Sequence, residues 1–232
     1  MLGILEGDTF VIESMNPARQ ATPMSVAAHA LYEQADPYMV QEPEGTLHLD
    51  KVEYDPVDDR RVRVRGARWE MAAKPTVKVE GAMPVGERGV VLAGAADPQF
   101  IAAVDDITAA VEKSVRDMLA GTVEPDYEIF FRVYGRDGVV AWPEPPAVPP
   151  REIFVMVECI APTADQVKTV LACCKQYLLH HGFPGRISTA GNIAFPFTPP
   201  EVLTGPAYRF SVYHIMQVDA LEPLFPIKIE TL

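Results

Sequence analysis

Residues 153–178, IFVMVECIAPTADQVKTVLACCKQYL, place two different periodicities side by side. The first eight, 153–160, are apolar on both faces, as a central strand of a sheet must be. Thr163 and Gln166 then form the three-residue spacing of a capping box. After it, Val167, Val170, Leu171, Cys174 and Leu178 recur at helical intervals. A central strand running directly into an amphipathic helix is the half-unit from which an α+β fold is built.

Working toward the N-terminus, Tyr127, Ile129, Phe131 and Val133 alternate as a second strand beside the first. Before them, Asp97 and Pro98 supply a cap and a first-turn proline. Phe100, Val104, Ile107, Val111, Val115 and Met118 follow as one helical stripe ending at Gly121. Residues 89–95, GVVLAGA, read as a buried strand. Toward the C-terminus, 207–218, AYRFSVYHIMQV, is a strand with Tyr208, Phe210, Val212, His214 and Met216 on one face. In order this gives strand, helix, strand, strand, helix, strand over residues 88–218, which predicts a ferredoxin-like (split βαβ) domain over 88–232. The doubly apolar strand further predicts that something covers the sheet face away from the helices.

Residues 1–87 differ in kind. Thr22 and Pro23 open a short helix carrying Val26, Ala27 and Leu31, which should end before Pro37. Alternating runs follow at 47–55, 61–66 and 76–81, with PVDD at 56–59 as a turn, so this segment reads as a small antiparallel sheet plus helix with a boundary near Gly86. In the run from Arg60 to Arg68 the arginines alternate with Val62 and Val64, the pattern of a half-exposed strand rather than an anion site.

The composition narrows the partners. Formal net charge is −12 at pH 7, which opposes binding to a phosphate backbone, so no nucleic-acid partner is expected. No apolar run approaches the roughly 18 residues of a membrane span, and MLGILEGDTF lacks a signal-peptide pattern, so a cytoplasmic, non-membrane protein is expected. Cys159, Cys173 and Cys174 are odd in number, two of them adjacent, and suit a reducing compartment. The proline clusters at 143–150 and 196–200 mark loops.

The connection after the second long helix, HGFPGRISTAGNIAFPFTPPEVLTGP, is longer than the ~12–15 residues usual in compact domains, and such connections are commonly functional. Phe183, Ile187, Ile193, Phe195 and Phe197 are too apolar for it to lie free in water. His180 and His181 offer an acid or base, Arg186 a partner for a carboxylate or phosphate, and Ser188, Thr189 and Asn192 neutral hydrogen-bonding groups. Together they suit an acidic small molecule. The same residues equally suit a structural role, with the histidines opposing the helix dipole and the polar side chains satisfying loop backbone. His29 and Glu33 have i,i+4 spacing, but HALYE lacks the HExxH order and no third ligand is placed by spacing, so no metal site is expected. GxGxxG, GxxxxGK[ST], GxSxG and CxxC are all absent, so no cofactor is expected either.

Five stretches, ATPMSVAAHALYE (21–33), TVKVEGA (76–82), FRVYGRDGV (131–139), GFPGRISTAGNIAFPFTPPEV (182–202) and GPAYRFSVYH (205–214), together resemble the acyclic terpene utilisation A family, and STAGNIAFPFTP is the most specific part. The chain resembles the C-terminal half of that family, whose members carry an α/β region ahead of it. The resemblance implies a place in growth on acyclic terpenes, through branched carboxylic acids and their coenzyme A esters. It carries over no catalytic residues. It also implies that this chain docks on a separate α/β subunit, or forms a homo-oligomer, around a small acidic or CoA-linked substrate. The reaction expected is of hydratase, lyase or isomerase type, and a non-catalytic assembly or binding subunit is the alternative.

Overall fold

The structure, a computed structural model, describes residues 1–144, 147–187 and 192–230. The protein is mixed α and β with antiparallel sheets, and four helices lie among the described residues. Its contacts group into two compact units, Met1–Glu80 with Val212–Leu232, and Gly81–Ser211.

The first unit opens with β1 (Leu2–Glu6) and β2 (Thr9–Glu13), a hairpin turned at Gly7, whose φ of +66° suits glycine. Helix α1 (Pro23–Ala30) begins at a reciprocal cap, with the Ser25 N–H donating to Thr22 Oγ1 at 3.1 Å and the Thr22 N–H to Ser25 Oγ at 2.9 Å. Then come β3 (Met39–Glu42), β4 (Gly45–His48), β5 (Glu53–Pro56), β6 (Arg61–Arg65) and β7 (Arg68–Met71). They make two antiparallel sheets, ordered β1-β2-β6-β5 and β3-β4-β7. Pairing sets Phe10 and Ile12 beside Val64 and Val62, and Val64 beside Tyr54, on one face. Val62 and Val64 are buried on β6 while Arg61, Arg63 and Arg65 pair with Asp58, Glu6 and Glu53, as the alternation requires. The β1–β2 hairpin, β3 and β7 lie outside the runs expected from the sequence, and the expected run 47–55 is broken between β4 and β5.

The long strand β8 (Thr76–Ala95) leads into α2 (Pro98–Ala102), α3 (Val104–Leu119), β9 (Glu128–Tyr134), β10 (Ile153–Ala161), α4 (Ala164–His180) and β11 (Glu201–Gln217). The sheet order is β11-β8-β10-β9, with β10 antiparallel to both neighbours. Odd-numbered residues of the strands, Val91, Ala93, Ile129, Val133, Val155, Val157 and Cys159, face a core completed by Val104, Ile107, Val111 and Val115 of α3 and Val167, Val170, Leu171 and Cys174 of α4. The expected single helix from 98 is two helices, because the backbone opens at Ala103 (φ −103°, ψ 11°). At the end of α3 Met118 is 59% exposed and Leu119, one residue on, is the buried one.

On the opposite sheet face Glu158 is buried between Arg88, 2.8 Å away on β8, and Arg132 on β9. Phe130 and Phe154, on the same face, are each 37% exposed, and Met156 and Ile160 are half-buried. On β11 the face carrying Tyr208, Phe210, Val212, His214 and Met216 is exposed, although an alternating apolar face of this kind, with a histidine in mid-strand, more often belongs to a core.

Candidate functional site

The connection after α4 is held in steps, all within the second unit. Asp97 caps α2 through the Gln99 and Phe100 N–H groups at 2.9 and 2.8 Å, which fixes two side chains against the incoming loop. Phe100, fully buried, meets Phe183 edge-on at 5.7 Å between ring centroids. The Gln99 amide faces the loop, and with its nitrogen assigned to the side that has only acceptors it donates to the Pro184 carbonyl at 2.9 Å and to that of Gly185 at 3.1 Å. Gly185 takes φ +79° there, so the turn needs a residue without a side chain.

Arg186 is half-buried and donates from Nη2 to the Leu179 carbonyl at 3.2 Å, closing the loop back onto the end of α4. His181, at that end, donates its N–H to the Tyr177 carbonyl at 2.7 Å, and His180 in the last turn is exposed. Asn192 is buried, with Nδ2 donating to the Ile187 carbonyl at 2.5 Å. Two residues on, Ala194 exchanges two backbone hydrogen bonds with Gly94, both 2.8 Å, and Ile193 and Phe195 pack on the core. The structure therefore gathers Arg186 and the 179–181 segment at one helix end and ties Asn192 to the Ile187 backbone next to Arg186. Ser188 and Thr189 lie outside the described residues.

Beside the Gly94–Ala194 bridge lies a cavity of about 400 Å³, lined by the Gly94–Ala96 backbone, Tyr134, Glu152, Phe154 and Ala194. This size falls in the range of small-molecule sites. Tyr134 and Glu152 had not been singled out as site residues. In the sequence Tyr134 ends one strand and Glu152 directly precedes the next, on either side of the proline-rich 143–150 stretch, and their proximity depends on the hairpin register that pairs Phe154 with Tyr134. The pair expected at His29 and Glu33 is not on one helical face: α1 ends at Ala30, Glu33 has φ +58°, and His29 instead stacks on Tyr32 at 6.4 Å. Among the described residues no three His, Cys, Asp or Glu side chains gather as a metal site, and no helix is long and apolar enough to cross a membrane.

The thiols are chemically quiet. Burial raises Cys159 to about 12 and raises Cys174 further, in the core between β10 and α4; burial also raises half-buried Cys173. A folded thiol that ionises near 12, against 9.0 when unfolded, favours the native state fully below pH 9.0 and loses that contribution as pH rises toward 12. Urea midpoints should therefore fall across this window, and Cys159→Ala should flatten the slope; equal slopes in both proteins would contradict the account. At pH 8 in the native state, iodoacetamide should spare Cys159 and Cys174.

The geometry defines an α+β protein in which a long, apolar connection is pinned across the end of a sheet, next to a cavity. The family described as acyclic terpene utilisation family protein AtuA matches residues 5–199, and the chain belongs to that family. Neither the curated proteins nor the solved structures contain a match to it.

Proposed function

We propose that the chain serves acyclic terpene utilisation by acting on a branched acyclic carboxylic acid or its coenzyme A ester, in a hydratase, lyase or isomerase type of reaction. Family membership over residues 5–199 supports the substrate class, and the Gly94–Ala194 bridge beside the cavity is the observation that favours the 180–206 connection as the site. In this reading His180 or His181 is the acid or base. Arg186 gives one N–H to Leu179 and keeps others for a carboxylate or phosphate. Ser188, Thr189 and Asn192 orient a carbonyl. We further read the second unit as ferredoxin-like, supported by a sheet order of last, first, third, second strand.

The test is turnover of a 3-methyl-branched acyclic enoyl-CoA by the purified protein, with products separated by chromatography. His181→Ala and Arg186→Ala should each lower turnover by about tenfold or more. The unfolding midpoint of the His181 variant should not move. No product from the native protein, or unchanged rates in both variants, would overturn the assignment.

One observation favours a second reading, in which the chain is a non-catalytic assembly or binding subunit for a separate α/β partner. Tyr208 and Phe210 on β11 are 60% and 70% exposed, and aromatic anchors dominate interfaces. Phe210→Ala would then weaken association measured by native mass, while His181→Ala stays silent.

A further inference from the structure

Within the first unit, α1 does not complete the core it lies on. None of its residues is buried, although Thr22, Pro23 and Ser25 start it firmly. It packs against β5, and the face beneath is closed over Val62 and Val64. On the neighbouring strand Phe10 and Ile12 share that face but remain half-exposed. They line a cavity of about 450 Å³ with Val26 and Ala30 of α1, Arg19 and His29. An apolar floor of this size, left open rather than collapsed, has the dimensions and chemistry of a ligand pocket.

The polar side chains at its margin are Ser14, Arg19, Gln20, Ser25 and His29; the Ser14 hydroxyl is spent on the Asn16 carbonyl at 3.3 Å, and Gln20 is uncharged. Ser25 is occupied, since its hydroxyl accepts from the Thr22 N–H at 2.9 Å and donates to the Thr22 carbonyl at 3.0 Å. Arg19 and His29 make no side-chain hydrogen bond or ion pair among the described residues. A permanently charged guanidinium and an imidazole beside an apolar floor match a ligand with an apolar tail and an anionic head.

We propose that this cavity binds a medium-length apolar chain ending in a carboxylate, the chain lying on Phe10, Ile12 and Val26 and the carboxylate meeting Arg19 and His29. The site is separate from the one proposed above and uses none of its residues.

Calorimetric titration of the full chain with sodium decanoate and with 1-decanol tests it. Decanoate should bind at least about tenfold tighter than decanol, since a hydrogen bond to a charged group contributes that much or more. Arg19→Met, a surface change that leaves folding intact, should remove the tenfold preference while decanol binding persists. Ala30→Trp, which fills the space over the floor, should abolish both. Absence of decanoate binding, equal affinity for the two probes, or an unchanged preference in Arg19→Met would each overturn the proposal.

Discussion

Phe100→Ala should lower the unfolding free energy by about 3–5 kcal/mol, the range for deleting a buried phenylalanine. Phe100 is 1% exposed and stands at the start of α2, with the core on one side and Phe183 on the other. Its loss leaves a cavity that backbone cannot refill, because α2 is held by the Asp97 cap at one end and by the turn at Ala103 at the other. At this chain length each kcal/mol corresponds to roughly 2–4 °C, so the melting temperature should fall by roughly 6–20 °C. The effect has a second, local part. With Phe100 gone the ring contact with Phe183 is lost and the Gln99 amide is left to hold Pro184 and Gly185, so amides of the loop should exchange faster than those of β10. Phe183→Ala should reproduce the loop exchange with a smaller global loss, because Phe183 is only half-buried. A Phe100→Ala protein within 1 kcal/mol of the native one would contradict this account of what anchors the connection.

The elements read best from sequence are those whose stability is written in a single period. β10 and α4 sit where the 153–178 pattern puts them, and the five apolar positions of α4 are all buried. The stripe from Phe100 to Val115 is also buried, but the opening at Ala103 left no mark, since neither glycine nor proline stands there. Met118 and Leu119 exchange roles for a separate reason, since both i+3 and i+4 from Val115 border the buried face and the period alone does not choose between them. The β1–β2 hairpin carried a readable sign, the Gly7–Asp8 turn between alternating runs. β3 and β7 did not, because strands of four residues are too short for alternation to show. β11 shows the limit in the other direction. Its alternation is clear, yet alternation says which residues share a face and nothing about whether this chain covers that face.

The candidate site was legible to a similar depth. The aromatic and aliphatic content of residues 180–206 marked a packed connection, and Phe183, Ile193 and Phe195 do pack on the core. What Arg186 does could not be read, because the Leu179 carbonyl it reaches is an unsatisfied group at a helix end and every helix has such groups. Tyr134 and Glu152 were invisible for a related reason: they come to line one cavity only through the register that sets Phe154 opposite Tyr134, across a connection that is long and rich in proline.

Gly86→Ala should destabilise the second unit by about 2–4 kcal/mol, combining the strain of a non-glycine residue in a sparsely populated region with loss of a strand-end hydrogen bond. Gly86 has φ +140°, and a Cβ there would stand 2.3 Å from the Ala161 carbonyl oxygen and 2.8 Å from its carbon. Both are backbone atoms, so no side chain can swing aside. The adjacent pair, Glu87 with Ala161, is the last rung between β8 and β10, and beyond it β8 continues toward Thr76 next to β11. An added methyl group must therefore either pry that rung apart or force β8 to leave the sheet in another direction. Gly3→Ala is the control, because a Cβ at Gly3 meets nothing within 4 Å, and its effect should stay within about 0.5 kcal/mol. Denaturant midpoints give the difference, and hydrogen exchange at the Gly86–Ala161 end of the sheet gives its location. If the two variants prove equally stable, the close approach at Gly86 does not shape β8. If exchange rises at Glu87 and Ala161 while the β9–β10 pairing holds, the glycine is what lets a strand of twenty residues serve two partners.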